Sequence, residues 1–279
     1  MRDYDFIMAG GGMAGLSLAF HLAHSPLKER SILIIDLEQK RKNDRTWCFW
    51  ATTPTPYHSI VSKQWSHFWI YGEEFQERIP LDPYDYRMIR GEDFYEFVKE
   101  SLEPLSNVTF LQARVDELKD VGNRVEVHTS AGTYTGSWVF DSLFLPREFH
   151  VDEKKHHFLK QHFVGWFVRT KRPVFDPEAA TWFDFRVPQK GEMRFMYLLP
   201  TSETESLVEF TLFSYKILER EEYEENLRAY MGDVLGLDES EYEIVEAEDG
   251  IIPMTDAPFE RRSGKRIMRI GTKGGMVKA

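Results

Sequence analysis

The sequence predicts a mixed α/β fold, a Rossmann-like nucleotide-binding domain with an antiparallel β-sheet domain inserted into it in two pieces. Three observations predict it. Gly10, Gly12 and Gly15 form a G-x-G-x-x-G turn directly behind the apolar run Phe6-Ile-Met-Ala. About twenty residues further on, a second apolar run, Ile32-Leu-Ile-Ile, ends on Asp36. Two stretches, 57–89 and 156–211, are dense in aromatic residues and alternate apolar with polar positions, as half-buried strands do.

Each element follows from local chemistry. The first glycine of the turn allows its tightness, the next, with Gly11 beside it, lets backbone N–H groups approach a pyrophosphate, and Gly15 lets helix pack on strand. A plain tight turn has the same small residues, but only a dinucleotide site requires the flanking runs and the acid. The helix spans Gly15 to Ala23, with Leu16, Ala19, Phe20 and Ala23 on one side. Asp36 is then placed to accept from the ribose hydroxyls of an adenosine. A polar, basic segment, Glu38 to Arg45, leads to the short apolar knot Thr46-Trp-Cys-Phe-Trp and a Pro-rich loop, Thr53 to Pro56. Residues 57–89 suggest short antiparallel strands, and a helix starts at Arg90 with acids in its first turn, where they suit the helix dipole. Val108-Thr-Phe-Leu is a strand, and Arg124 to Thr129 with Thr133 to Asp141 reads as a hairpin. Asp141 ends its strand, which is where open α/β sheets meet their ligands. The second sheet draws on the runs beginning at Phe163, Ala180, Arg194 and Leu207. A helix follows over Glu219 to Leu235, and strands return at Gly250-Ile-Ile and Arg266 to Ile270. The expected nucleotide domain is thus 1–56, 91–150 and 246–279, and the inserted domain 57–90 and 151–245.

At 279 residues the chain suits one large or two modest domains. Its net charge is −11, all of it accounted for by Glu219 to Asp249, where thirteen acids face Arg220 and Arg228. A solvated helix face and loop explain that stretch, and the balance argues against a nucleic-acid partner, which needs clustered Lys and Arg. The single cysteine, Cys48, excludes an internal disulfide framework and a thiolate zinc or iron–sulfur site, so a reducing cytoplasm is the expected compartment. No signal-like h-region opens the chain, and no run of about eighteen apolar residues predicts a spanning helix. Aromatics make up 14% of the chain, with 21 Phe and 7 Trp, which suits either a large apolar ligand or a bulky aromatic core.

With the opening turn, the segment Asn43-Asp-Arg-Thr-Trp-Cys-Phe-Trp and the run Leu207-Val-Glu-Phe-Thr-Leu-Phe-Ser in hand, the sequence resembles the lycopene cyclases of the bacterial β-cyclase type. The resemblance covers the whole chain. Gln161 with Gly165-Trp166, Phe183-Asp-Phe-Arg, Leu199-Pro200, Glu248-Asp-Gly-Ile-Ile-Pro and Gly271-Thr-Lys-Gly-Gly-Met match that family's motifs in their usual order. It implies an FAD enzyme that closes β-ionone rings on the ends of lycopene or a related acyclic carotenoid. Reduced flavin is required, there is no net redox change, and NAD(P)H or another cellular reductant keeps the flavin reduced. The cofactor-binding residues so implied are Gly10, Gly11, Gly12, Gly15, Asp36, Arg45, Asp141, Gly271, Gly274 and Gly275. Glu209 is the implied catalytic residue, and Trp166, Trp182 and Phe185 the implied substrate-side aromatics. Because lycopene resides in bilayers, a cytoplasmic enzyme held peripherally at a membrane surface is expected. The oligomeric state has no signature here.

Two departures from the family accompany the match. The catalytic strand of many relatives reads Phe-Leu-Glu-Glu-Thr, whereas Leu207-Val208-Glu209-Phe210-Thr211 retains one carboxylate, so Glu209 is expected to act alone. Gly271 to Ala279 resembles the start of a last flavin-binding loop, and the continuation into a helical region is expected to be missing.

Ring closure on a polyene needs a proton delivered to a double bond, a cation that persists until the next double bond attacks, and removal of a ring proton. A carboxyl in an apolar strand suits acid or base work, because desolvation favours its neutral form. Alternation alone favours Glu209 pointing to water, opposite Val208 and Phe210, and the family resemblance reverses that reading. Trp166, Phe167, Trp182 and Phe185 offer faces to a cation, or pack as core. Asp184 and Arg186 share a face at two-residue spacing and are expected to pair. Arg45 is either a flavin or phosphate contact or a surface residue, and Trp47 and Trp50 either shape a flavin pocket or pack as core. His156 and His157 face opposite ways on a strand, so no metal site is expected, and Cys48 reads as a buried hydrophobe. An aromatic hydroxylase or prenyl-lipid reductase on the same plan, or an inactive truncated flavin binder, remains open from sequence.

Overall fold

The glycine turn and the runs around it fold as their spacing requires. In the computed structural model, which describes residues 2–40, 42–144 and 149–276, β1 (Arg2–Ala9) runs into the turn and α1 (Met13–Ala23) leaves it. The helix buries Gly15, Leu16, Ala19, Phe20 and Ala23, the stripe expected from three- and four-residue spacing. The chain divides into two units. The first comprises Met1–Asn43, Gly91–Val151 and Ala257–Ala279, and the second Asp44–Arg90 and Asp152–Asp256.

In the first unit β1 lies between β2 (Ile32–Asp36) and β11 (Gly132–Asp141), parallel to both, and β8 (Val108–Gln112) continues the parallel array beyond β2. The far edge of β11 is shared. Its first half pairs antiparallel with β10 (Val125–Thr129), itself paired with β9 (Val115–Asp120), and its last three residues pair in parallel with β17 (Ile267–Arg269). Ile7, Leu33, Ile35, Val125, Val127, Val139 and Ile267 form the buried core of this sheet. Phe20 of α1 meets Phe97 of α2 (Gly91–Leu102), their ring centroids 5.5 Å apart. The carboxyl ends of β1, β2, β11 and β17 therefore reach one edge, and the glycine turn sits on it.

The second unit is built on a sheet of seven strands among the described residues. Its order is β16 (Tyr242–Thr255), β12 (Phe158–Thr170), β15 (Glu205–Ser214), β14 (Met193–Pro200), β13 (Ala179–Asp184), β5 (His67–Tyr71), β6 (Gln76–Pro80). All pairs are antiparallel except β13 with β5. A smaller sheet holds β3 (Thr46–Ala51), β7 (Asp85–Arg90) and β4 (Lys63–Trp65).

Alternation divides the large sheet into two faces. On one, Val164, Trp166, Val168, Met196, Leu198, Val208, Phe210 and Leu212 pack against Tyr223, Leu227, Tyr230 and Met231 of α3 (Arg220–Asp233). On the other, Ala180, Leu199 and Leu207 pack with Phe68 and with Trp65, Tyr86 and Met88 of the small sheet, and Cys48, Phe167, Trp182 and Tyr197 lie alongside.

The division of the chain corrects the boundaries read from sequence. Residues 44–56 belong to the second unit because β3 pairs with β7 from Thr46 with Arg90 to Ala51 with Asp85. Residues 246–256 belong there because Gly250-Ile-Ile is only the middle of a fourteen-residue strand, β16, paired along β12.

Candidate active site: a glycine-turn edge and a buried glutamate face

At the edge of the first unit, the glycine turn is closely packed. A Cβ on Gly15 would lie 2.0 Å from the Gly10 carbonyl oxygen, so only glycine lets α1 start this close to the turn. A Cβ on Gly12, by contrast, would meet no atom within 4 Å. Gly12 is also the residue from which α1 starts, without a side-chain cap. The first N–H groups of a helix have no intrahelical partner, and such a helix start is suited to an anion. The Asp36 carboxylate accepts from Gly11 N–H at 2.7 Å and from Glu38 N–H at 2.8 Å, which fixes the acid beside the turn.

The late glycines close on the same edge. Gly271–Gly274 forms a 3-10 turn in which a Cβ on Gly271 would lie 3.0 Å from the Ala14 Cβ, and Gly275 follows as its C-cap. Lys273 on this turn places Nζ 2.6 Å from the Asp141 carboxylate, which also accepts from Leu143 N–H at 3.1 Å. The structure thus brings together Gly10, Gly11, Gly12, Gly15, Asp36, Asp141, Gly271, Gly274 and Gly275. Arg45 is in the second unit, exposed at the head of β3, where its guanidinium donates to the Asp44 carbonyl at 2.6 Å.

In the second unit Glu209 lies near the centre of β15 and is 6% exposed. It points away from α3, as its buried neighbours Val208 and Phe210 point toward it. The Thr211 hydroxyl donates to its carboxylate. Its cross-strand partners are Gly165 on β12 and Tyr197 on β14. A Cβ on Gly165 would sit 2.8 Å from Leu207 Cδ1, 3.4 Å from the Glu209 Cβ and 3.5 Å from its Cγ, so both side chains pack over the glycine. The Tyr197 hydroxyl meets the Tyr86 hydroxyl at 2.7 Å. Burial, with Cys48 beside them and the negative charge of Glu209 adding to it, pushes both phenols up, so the pair stays protonated.

Gly165 also pairs, on its other edge, with Glu248 of β16. Directly paired residues share a face, so Glu248, Gly165, Glu209 and Tyr197 form one row across four strands. Glu248 is half-buried and accepts from the Thr46 hydroxyl at 2.7 Å. Burial pushes its carboxyl above the usual carboxylate range and neighbouring Glu246 adds to that, against the Thr46 hydrogen bond and the charges of Arg45 and Arg90. Arg90 pairs with Glu246 at 2.8 Å and stacks over the Phe167 ring at 5.3 Å.

Aromatic rings line the rest of this face. A register shift between Thr181 and Asp184 breaks the alternation of β13, and Trp182, Phe183 and Phe185 stack in series at 5.1 and 5.5 Å. Phe183 meets Phe195 at 4.8 Å, and Phe195 stacks with Phe213 at 6.1 Å. Trp50 closes on Trp182 at 5.6 Å. A buried carboxylate, hydroxyl groups and aromatic rings thus share this side of the sheet, and ring faces attract positive charge.

Comparison with known sequences decides the family. The family model described as lycopene cyclase protein matches residues 5–279. The chain belongs to the lycopene cyclase family. No curated protein matches the sequence. Solved structures with a similar fold include a geranylgeranyl bacteriochlorophyll reductase-like protein from Thermoplasma acidophilum, with 13% identity, a TM-score of 0.68, and 99% of this chain and 72% of that one covered. The p-nitrophenol 4-monooxygenase of Pseudomonas putida DLL-E4 has 15% identity and a TM-score of 0.71 over 98% and 74% of the two chains. A probable FAD-dependent monooxygenase from Pseudomonas aeruginosa has 14% identity and a TM-score of 0.66 over 98% and 79%. At these identities the likeness establishes the fold alone, a mixed α/β architecture of Rossmann type.

Within this lycopene cyclase relative, one implied substrate residue is displaced. Trp166 does not join Trp182 and Phe185: it pairs with Val208, one position from Glu209, and is therefore on the α3 face, 3% exposed, with Arg228 stacked over its ring at 5.4 Å. The residues that sequence reasoning missed are Tyr86, Tyr197 and the sheet position of Glu248. The run 248–253 is visible in the sequence, but only strand register shows which face it serves.

The expected ion pair forms. The Arg186 guanidinium donates two hydrogen bonds to the fully buried Asp184, at 2.9 and 2.6 Å, its backbone N–H a third at 3.1 Å, and the Tyr230 hydroxyl a fourth at 2.7 Å. This ties β13 to α3 and leaves the Phe183 and Phe185 rings on the opposite face. Asp184→Ala is expected to cost about 2–4 kcal/mol, less than a fully buried pair because Arg186 can regain water while the Tyr230 hydroxyl cannot. Urea unfolding followed by tryptophan fluorescence measures this, and an unchanged midpoint contradicts it.

Proposed function

We propose that this chain is a lycopene β-cyclase, a flavin-dependent isomerase that closes β-ionone rings on the ends of an acyclic carotenoid without net redox change. One observation carries the reading: Glu209, acidic and buried, at the centre of an aromatic face that also has hydroxyl groups. The first unit is then the FAD-binding domain and the second the substrate domain. The glycine turn and Asp36 support a dinucleotide, and FAD is favoured because solved structures of similar fold include flavin- and FAD-dependent enzymes. Gly10, Gly11, Gly12 and Gly15 would hold its pyrophosphate and Asp36 its ribose, with Asp141 and the late glycines 271, 274 and 275 as further contacts. When bound and reduced, with NAD(P)H as the reductant, the flavin supplies negative charge that favours a cation.

The chain's own residues account for the rest. Trp182 and Phe185, with Phe183 and Phe195 behind them, exclude water and present ring faces to the cation. Glu209 exchanges a proton with the substrate at its carboxylate, while the Thr211 hydroxyl orients it. Because the substrate resides in bilayers, the enzyme works cytoplasmically at a membrane surface. Among the described residues no helix is long and apolar enough to cross a membrane. Anaerobic incubation with reduced FAD and lycopene in liposomes, followed by chromatography, tests the reading. The expected product is cyclic and of unchanged mass. NAD(P)H consumed in proportion to an oxidised or reduced product would instead identify a hydroxylase or prenyl-lipid reductase on the same fold.

A further inference from the structure

The sequence leaves one carboxylate where many relatives have two, because Phe210 follows Glu209. Phe210 is fully buried on the α3 side, so an acid at that position would not face the substrate in any case. The second carboxyl on the working face comes from another strand. Glu248 and Glu209 pair with opposite edges of the same residue, Gly165, and share a face. Their backbones are separated by two strand spacings, roughly 9–10 Å. Gly165 itself puts no side chain between them, and the atoms packed over it are Leu207 Cδ1, 2.8 Å from where a Cβ would lie, and Glu209 Cβ and Cγ at 3.4 and 3.5 Å.

We infer that Glu248 is the proton donor of the ring closure and Glu209 the base that completes it, the two working from either side of Gly165. This rests on the cyclase reading above. Glu248 transfers its carboxyl proton to the terminal double bond, whose π electrons form the new C–H bond. The next double bond attacks the resulting cation, and its π electrons form the ring C–C bond. Glu209 takes a ring proton, and the electrons of that C–H bond restore a double bond. The substrate is isomerised, one proton has passed from Glu248 to Glu209, and exchange with solvent resets the pair.

The surroundings fit these separate roles. Thr46 and Thr211 each hold one carboxyl oxygen, and Tyr197 and Tyr86 present protonated hydroxyls on the Glu209 side. Glu246, Arg45 and Arg90 are the charged groups around Glu248, and burial keeps its carboxyl protonated to higher pH than an exposed one. A donor must be protonated, so cyclisation is expected to fall as pH rises through this raised value.

The test uses the intact chain with reduced FAD and liposomal lycopene. Glu248→Gln is expected to lower cyclisation by roughly 10²–10⁴-fold. Circular dichroism and flavin binding should be unchanged, and the infrared carbonyl band of a protonated carboxyl should disappear. Glu248→Asp should retain turnover with the alkaline limb of its pH profile displaced. If Glu248→Gln cyclises within threefold of the wild type with the same pH profile, the inference is overturned and the cyclase reading stands. A wild type that forms no cyclic product overturns that reading and this inference with it.

Discussion

Glu209→Gln is expected to fold, to bind flavin, and to lose ring formation by roughly 10²–10⁴-fold, the usual share of a positioned acid or base. The substitution is nearly isosteric, and the amide oxygen still accepts from the Thr211 hydroxyl. Packing against Gly165 is likewise retained, because Cβ and Cγ, the atoms lying over the glycine, are unchanged. Only the ability to take up or release a proton is removed. Residual activity reports how much the aromatic face and the bound flavin contribute without it. Glu209→Asp keeps the chemistry and shortens the reach, so it should recover part of the loss. Product analysis by chromatography, beside a flavin-binding titration of the same preparation, decides the matter. Undiminished cyclisation by Glu209→Gln would remove the assigned role.

The parts of the fold that were legible in the sequence are those governed by local spacing. The stripe Leu16, Ala19, Phe20, Ala23 specifies α1 by itself, and the hairpin around Gly132 is fixed by its turn. What escaped depends on partners far away in the chain. β16 is acidic, with Glu243, Glu246, Glu248 and Asp249 within it and Pro253 its one buried residue, so most of it reads as solvated loop until its pairing with β12 is known. β9 contains Asp116, Glu117 and Lys119 and was equally hidden. Face assignment failed for a related reason. Trp166 and Trp182 look equivalent as aromatic residues in strands, but cross-strand register puts the first toward α3, and the irregularity in β13 puts the second beside Phe183 and Phe185. Glu209 was recognisable by its motif, whereas its relation to Tyr197, Gly165 and Glu248 exists only in the pairing of four strands.

Gly15→Val is expected to abolish tight flavin binding while the second unit remains folded. The position is occupied on one side by the Gly10 carbonyl oxygen, 2.0 Å from where a Cβ would be. Gly10 cannot yield easily. Its φ is +111°, a backbone conformation that L side chains rarely adopt, and its N–H is committed to the Ile35 carbonyl at 2.9 Å. The clash is therefore relieved by moving α1 outward, which carries its first-turn N–H groups away from the place of the pyrophosphate. Each charge-assisted hydrogen bond so lost weakens binding by about 1.5–3 kcal/mol, so losing two predicts an affinity lower by roughly 10²-fold or more. The second sheet and α3 are built from residues of the second unit and do not include the turn, so tryptophan fluorescence from Trp166 and Trp182 should be preserved. Equilibrium dialysis with FAD measures the affinity. Cyclisation by Gly15→Val should return in part at high FAD concentration, because its Glu209 face is intact, whereas no excess of cofactor should restore Glu209→Gln. That difference separates a binding defect from a chemical one, and a Gly15→Val protein that held FAD as tightly as the wild type would show that the turn does not carry the cofactor.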